Sequence, residues 1–374
     1  MGKQHTALGW IALGLVTFAC VTSAGCGTDD TPQNASSLDG TTPVDVPPTG
    51  GDGNGDGTGN GDGNGNGNGD GDGNGKGDAG TPAPKPEKPG CGQNAYTEPL
   101  PTETSLTGVP FSRETAKEFL LTALEKRYPV GKAIVQGGMA SPRSTPSGDC
   151  VDVFLGNRSS ADGVMRSAST AVHECGHFYD LGKSSRDESA YVIRPDLTFM
   201  CKAGDTTSRG GKTFARSLIT KDAHARKRTP CGGGAKGCDN YANTYLTGQS
   251  GAQGYNFVLE EATQYVNSLA TALAFKEQYA RSNASERDGI LTFLWYIERY
   301  LAMARTDYPD AYKLISEDAC WRQATLSIWD RGWFYLQATK DVPGLGLDDE
   351  AIEALVNEPA LLAEIDALRK LECE

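Results

Sequence analysis

A long alternation of glycine with small polar residues limits where this 374-residue chain can form a folded core. Glycine occupies every odd position from Gly51 to Gly77, and Asn or Asp fills most of the positions between. Such a run supplies almost no apolar surface to offset the conformational entropy that folding removes. We therefore expect residues 27–90 to form a disordered Gly-, Asn- and Asp-rich tether and residues 91–374 to form one folded domain.

The first 26 residues have the pattern of an export signal. Lys3 precedes the apolar run ALGWIALGLVTFACV, and the small residues of TSAGC follow it. The run is shorter than a typical membrane span and has no stop-transfer flank. Its ending, SAGC, resembles the lipobox of bacterial lipoproteins, which implies a lipid anchor on Cys26 that holds the protein to a membrane. With plain secretion as the alternative, both readings place the domain in the cell envelope or outside the cell.

The cysteine content and the charge support an extracytoplasmic protein and disfavour a nucleic-acid partner. Eight cysteines follow Cys26, and an even number in an exported chain is typical of disulfide bonding. Their pairing cannot be read from spacing, although Cys231 and Cys238 could close a short loop. Eleven Asp and Glu residues against three Lys residues lie in 27–90, so most of the formal net charge of -13 belongs to the tether. The folded part is mildly acidic, unlike a nucleic-acid-binding surface.

Hydrophobic periodicity predicts an α+β fold that is predominantly α-helical. Four short apolar or β-branched stretches are predicted to be strands: 132–139, 150–156, 190–195 and 197–201. Residues 206–254 are polar and rich in Gly and Ser, which predicts mostly loop. Helices are predicted over 112–129, 162–180, 257–280, 289–305 and 310–337, with a short one near 212–219 and two more after Asp348.

The stretch His173-Glu174-Cys175-Gly176-His177 has the HExxH pattern inside one of these helices. Positions i and i+4 lie on one helix face, so two imidazoles at this spacing can reach one Zn²⁺ ion. A glutamate after the first histidine can take a proton from the attacking water and deliver it to the leaving amine. Two solvated histidines on a polar helix face are the alternative, which the mid-domain position disfavours. The sequence therefore predicts His173 and His177 as zinc ligands and Glu174 as general base and then general acid.

A third zinc ligand must come from another part of the chain. Asp180 and Lys183 stand where a metzincin would carry Gly and then His or Asp, so that arrangement does not apply. The helix predicted over 257–280 offers Glu260 and Glu261. Glu261 shares a face with apolar residues, whereas Glu260 lies on a mixed face, so we prefer Glu261 and keep Glu260 as the alternative.

An HExxH motif followed by a glutamate on a later helix resembles the gluzincin metallopeptidases, and HECGHFYD is similar to the HExGHxxD of lethal-factor-like peptidases. The resemblance implies a zincin-like small sheet beside the active-site helix, with a helical C-terminal part. It also implies that Asp180 orients a ligand histidine, with a helix-end acid as the alternative. A tyrosine ahead of the ligand glutamate would stabilise the oxyanion, and Tyr255, six residues before Glu261, is the nearest match. His224 is interpreted as a surface histidine rather than an oxyanion donor.

The sequence thus favours an exported, lipid-anchored, Zn²⁺-dependent metallopeptidase with a protein or peptide substrate. Two rivals stay open. One is a non-catalytic surface lipoprotein that keeps a zincin-like fold as a binding or scaffold module, and the other is a zinc hydrolase of a different bond. The intact Glu174 favours catalysis. Whether residues 91–146 form a pro-segment is a further question that the sequence leaves open.

Overall fold

A computed structural model describes Cys91 and residues 96–143, 148–204, 213–232, 234–280 and 284–374. The predicted signal, the Cys26 anchor and the tether lie outside these residues. The described part contains twelve α-helices, three 3-10 helices and two strands, which confirms an α+β fold that is mostly α.

The elements follow one another along the chain in an order that places most helices after the sheet. The α-helices are α1 (Ala116–Arg127), α2 (Pro129–Met139), α3 (Cys150–Phe154), α4 (Ala161–Lys183), α5 (Ala242–Tyr245), α6 (Gly248–Gly251), α7 (Tyr255–Ala274), α8 (Glu286–Asp307), α9 (Pro309–Ser316), α10 (Ala319–Ala338), α11 (Asp349–Val356) and α12 (Pro359–Cys373). The strands are β1 (Glu188–Arg194) and β2 (Leu197–Lys202), and the 3-10 helices are Arg216–Lys221, His224–Lys227 and Lys276–Gln278.

Helix α4 packs against α2 on one side and against α7 on another. Its start is fixed by Ser160, whose side chain accepts a hydrogen bond from the Gly163 amide. Asp162 in the first turn and Lys183 in the last turn complement the helix dipole. Helix α7 in turn packs on α8. The HExxH stretch of α4 is therefore buried among helices.

The strands predicted at 190–195 and 197–201 are present as β1 and β2, and they form one antiparallel pair beside α4. The register pairs Glu188 with Lys202 and Val192 with Thr198, and it becomes irregular before Arg194. On the edge of β1 away from β2, the Val192 amide donates to Asp180 Oδ1 at 2.8 Å. This bond ties the sheet to the last turns of α4.

The strands predicted at 132–139 and 150–156 are wrong, because the first stretch lies in α2 and Cys150–Phe154 of the second forms α3. Pro129 follows the end of α1 and is the first residue of α2. At this position the missing N–H of proline removes no hydrogen bond within the helix. The buried residues of α2 follow helical spacing at Gly131, Ile134, Val135 and Gly138. Helix α3 is specified by a capping box in which Asp149 accepts from the Val151 and Asp152 amides.

The remaining helix predictions are confirmed with three adjustments. The stretch 257–280 is α7, which ends at Ala274, followed by the 3-10 helix Lys276–Gln278. The stretch 310–337 is two helices, because Asp318 caps a new start and accepts from the amides of Cys320 and Trp321. The short helix predicted near 212–219 is the 3-10 helix Arg216–Lys221.

Four disulfides confirm the prediction from the even cysteine count, including the short Cys231–Cys238 loop. The other three pairs are Cys91–Cys373, Cys150–Cys175 and Cys201–Cys320. Such bonds persist in oxidising compartments, so they indicate an extracytoplasmic location. Among the helices of the described part, none is both long and apolar enough to span a membrane.

Candidate metal centre

Helices α4 and α7 bring three potential metal ligands together in the interior. Glu261 Oε2 lies 3.8 Å from His173 Nε2 and 3.5 Å from His177 Nε2. One ligand atom from each of the three residues lies within 4.8 Å of the others. Ligands bound tetrahedrally at about 2.1 Å from one ion would lie about 3.4 Å apart, so the two carboxylate–imidazole distances are close to those of a metal site.

The chemistry of the cluster also fits a divalent metal ion. All three side chains are buried, and Glu261 is 3% exposed. Glu261 Oε2 and Glu174 Oε2 are buried oxygens without a hydrogen-bond partner among the described residues. A buried carboxylate oxygen without a partner is costly, and a cation bound between the rings and Glu261 would remove that cost.

Each histidine ring is oriented by a hydrogen bond at its other nitrogen. His177 Nδ1 lies 2.6 Å from Glu260 Oε1, and His173 Nδ1 lies 2.9 Å from Ser268 Oγ. Such contacts fix the ring and leave Nε2 directed at the metal position. The structure therefore places Glu261 on the ligand side of the histidines and Glu260 behind one of them. Ser268 was not predicted, although it follows Glu261 by seven residues and so shares its helix face.

Glu174 directly follows His173 on α4 and is also buried, with 7% of its surface exposed. Burial raises the pKa of Glu174 to about 7; the charge of His177 opposes this shift, and the carboxylates of Glu261 and Glu260 add to it. Burial and the neighbouring His177 lower the pKa of His173 to about 3, which keeps its imidazole neutral as a metal ligand requires.

Asp180 has a different role from the one that the family resemblance implies. Its Oδ1 accepts from the Val192 amide at 2.8 Å, and its Oδ2 accepts from Gln264 Nε2 at 2.9 Å. Neither partner is a histidine, so the prediction that Asp180 orients a ligand histidine is corrected. Glu260 does so instead, because it reaches His177 Nδ1 from α7.

Tyr255 is not brought into the cluster. Its hydroxyl pairs with Thr325 Oγ1 at 2.9 Å, and its ring packs against Tyr300 and Trp321. Six positions along an α-helix turn the side chain by about 240°, so Tyr255 leaves α7 on a different side from Glu261. The prediction that it would face the metal position is therefore corrected.

Two other tyrosines adjoin the cluster. The Tyr265 ring meets the His173 ring edge-on with a centroid distance of 4.8 Å, and the Tyr265 hydroxyl lies 2.9 Å from that of Tyr245. Burial raises the pKa of Tyr245 well above its ordinary value, and the charge of Glu261 adds to the shift. The position of Tyr265 near the cluster could have been predicted from its i+4 spacing from Glu261 on one helix. Tyr245 lies in the loop-rich region 206–254, where the sequence gives no such indication.

His224 lies apart from the cluster, on the 3-10 helix His224–Lys227. It is partly exposed, and its Nδ1 lies 3.3 Å from Glu358 Oε2. This position agrees with its interpretation as a surface histidine.

Comparison with known proteins adds no relative to this picture. No protein-family model, curated protein or solved structure matches the chain. Its function must therefore be inferred from the chemistry of its own residues.

Proposed function

We propose that this chain is a Zn²⁺-dependent metallopeptidase that hydrolyses peptide bonds in a protein or peptide substrate outside the cytoplasm. One observation carries the proposal: His173, His177 and Glu261 converge on one buried position beside Glu174. Two imidazoles and one carboxylate form the ligand set of catalytic zinc in HExxH peptidases, and they leave a position open for water or substrate. Zinc in such a site acts as a Lewis acid that polarises the substrate carbonyl and makes water more acidic.

Metal binding and proton transfer are assigned to different side chains. His173 and His177 would hold the ion through Nε2, each ring kept in place by its partner on α7. Glu261 would supply the third, negatively charged ligand. Glu174 accepts a proton from the water that attacks the scissile carbonyl and returns it to the leaving amine nitrogen. The similarity of HECGHFYD to lethal-factor-like peptidases supports these roles over a short segment only.

The proposed place of action is the cell envelope. The four disulfides support an oxidising compartment, and the export pattern of residues 1–26 supports the same location. A lipid anchor on Cys26, followed by the tether, would hold the domain at a membrane surface while it reaches its substrates.

The burial of the site favours a second candidate function. Glu174 is 7% exposed and His173 is 8% exposed, so the cluster offers little surface to a substrate in this conformation. A non-catalytic surface lipoprotein, in which the ion only joins α4 to α7, would have the same arrangement.

The test is turnover of a casein or mixed-peptide substrate by the full chain, with and without a zinc chelator. Glu174→Gln should retain the ion and lose about 10²–10⁴-fold in turnover, because only the proton transfer is removed. Glu118→Gln, on an exposed face of α1, is the matched control and should behave like the parent chain. Equal cleavage by Glu174→Gln would contradict the proposal, and zinc binding without any cleavage would support the second candidate.

A further inference from the structure

The two metal-binding helices touch through a glycine and a glutamine. A Cβ atom at Gly176 would lie 1.8 Å from Gln264 Oε1, far inside any contact distance. Gln264 is fully buried. The side-chain amide of α7 therefore lies directly on the backbone of α4, and only glycine at position 176 leaves room for it.

The Gln264 amide is held by two hydrogen bonds, one that it donates and one that it accepts. Its Nε2 donates to Asp180 Oδ2 at 2.9 Å, and its Oε1 accepts from Asn267 Nδ2 at 2.9 Å. Asp180 is fixed in turn by the Val192 amide at 2.8 Å. A glutamine whose donor and acceptor are both used in this way has one orientation, so the amide is a spacer of defined thickness between the helices.

The network continues from α7 into the rest of the domain. Arg331 Nη1 donates to Asn267 Oδ1 at 2.7 Å, and Arg331 Nη2 donates to Tyr128 OH at 2.9 Å and to Glu98 Oε1 at 3.2 Å. All of these groups are buried. The spacer is therefore anchored at both ends of its amide, to Asp180 on α4 directly and to Arg331 on α10 through Asn267.

The spacer acts at the turns that carry the ligands. Gly176 lies between His173 and His177, and Gln264 follows Glu261 by three residues, about one helical turn. The distances from Glu261 Oε2 to the two imidazoles, 3.8 and 3.5 Å, depend on how closely α4 and α7 approach here. Metal–ligand bonds tolerate deviations of only about 0.2 Å, so a small separation of these helices would take Glu261 out of reach.

We propose that Gln264 is a positioning residue of the metal centre. Seated on Gly176, it sets the α4–α7 spacing at which Glu261 can share one Zn²⁺ ion with His173 and His177. Gln264 does not bind the ion; it acts through the ligands. The inference rests on the proposed function and adds to it the residue that controls zinc affinity.

The experiment measures the zinc dissociation constant of the full chain by competition with a chromogenic chelator, at a temperature where every variant is folded. Gln264→Ala should bind one Zn²⁺ per chain about 10- to 100-fold more weakly than the parent, the usual effect of losing a group that orients metal ligands. Gly176→Ala should do the same, because its methyl group displaces the amide. In the Co²⁺-loaded proteins the visible absorption bands should change with it, since the carboxylate moves relative to the ion.

A matched control strains α4 away from the ligands. A Cβ at Gly163, in the first turn of α4, would lie 2.6 Å from the Asn157 side chain, so Gly163→Ala crowds the same helix ten residues before His173. It should lower the melting temperature of the metal-free chain and leave the zinc dissociation constant within about threefold of the parent value. In Gly176→Ala/Gln264→Ala the methyl enters the space that the amide left, so zinc binding should be no weaker than in Gln264→Ala alone.

The outcomes separate this inference from the proposed function. If the parent chain binds no zinc, the proposed function fails, and the inference fails with it. If the parent binds zinc and Gln264→Ala binds it equally well, only the inference is overturned. Should Gln264→Ala not fold, Gln264→Asn, which keeps the amide but shortens the side chain by one methylene, decides by the same criterion.

Discussion

Adjacent carboxylates on α7 take different places around the two histidines because successive side chains leave an α-helix about 100° apart. Glu261 Oε2 faces both imidazole Nε2 atoms, whereas Glu260 Oε1 holds His177 Nδ1 at 2.6 Å. Both side chains are buried, so burial alone cannot distinguish a ligand from its support. What separates them is the side of the imidazole ring that each one reaches.

Glu261→Gln and Glu260→Gln should therefore weaken zinc binding to different extents. Loss of Glu260 frees the His177 ring and should weaken binding about 10- to 100-fold with one ion per chain retained. Loss of Glu261 removes the charged ligand and should weaken binding further. Isothermal titration of each metal-free variant with Zn²⁺ measures the difference, and the reverse order of effects would assign the ligand role to Glu260.

The sequence could predict that the two histidines share a helix face and that a later helix brings a glutamate to them, because fixed spacing on one helix determines which side chains share a face. It could not predict the partners that orient the ligands. Ser268 is 95 residues away from His173, and only the packing of α4 on α7 brings them together. For the same reason Tyr255 and Asp180 were assigned wrongly, since a short motif does not determine which buried groups surround it.

Helix α4 is fixed by a covalent bond at the motif itself. Cys175, between Glu174 and Gly176, is bonded to Cys150 of α3 and is completely buried. The Cys150–Cys175 bond and the Gln264 contact hold α4 at neighbouring positions. We therefore expect oxidation of this pair to support the proposed metal centre as well as general stability.

Replacement of Cys150 and Cys175 by alanine should lower both stability and zinc affinity. The chain-entropy relation gives a loss of about 3.5 kcal/mol for this 25-residue separation and about 2.4 kcal/mol for the 7-residue separation of Cys231 and Cys238. The double alanine variant of the second pair is the control, because that loop contributes no metal ligand. Denaturant unfolding and zinc titration measure the two effects, and unchanged zinc affinity in the first variant would show that the bond does not support the site.

Helices and strands were predictable where one sequence feature dominated, and they were missed where features of a helix and of a strand occurred together. The long helices have clear apolar stripes and were found. In α2 and α3 the β-branched residues favoured strands, but Pro129 at a helix start and the Asp149 capping box favoured helices. Packing against α4 decides in favour of the helix, because Gly138 lets the α2 backbone approach that of α4.

The segment at the start of the domain is an integral part of the whole molecule. Cys91 is bonded to Cys373 near the other end of the chain, across 282 residues. Glu98 is buried and accepts hydrogen bonds from Tyr96, Tyr335 and Arg331, so it neutralises an otherwise unpaired buried cation. Cys91, Tyr96 and Glu98 are thus joined to the C-terminal helices of the domain.

Glu98→Ala should destabilise the entire domain. Removing one partner of a buried ion pair leaves the other charge uncompensated, which costs about 3–5 kcal/mol. Glu103→Ala is the matched control, since Glu103 pairs with Lys276 at the surface and its loss should leave the stability close to that of the parent chain. Equal unfolding free energies for the two variants in urea would refute a structural role for Glu98.

The metal content and metal coordination of the purified full chain decide whether His173, His177 and Glu261 hold an ion. We expect one zinc ion per chain, with an X-ray absorption spectrum that shows two imidazole nitrogens and carboxylate or water oxygens, and no sulfur ligand. His173→Ala should remove the ion, and His224→Ala should leave it bound. A chain that contains no zinc after saturation, or that loses it equally with either histidine, would contradict the account.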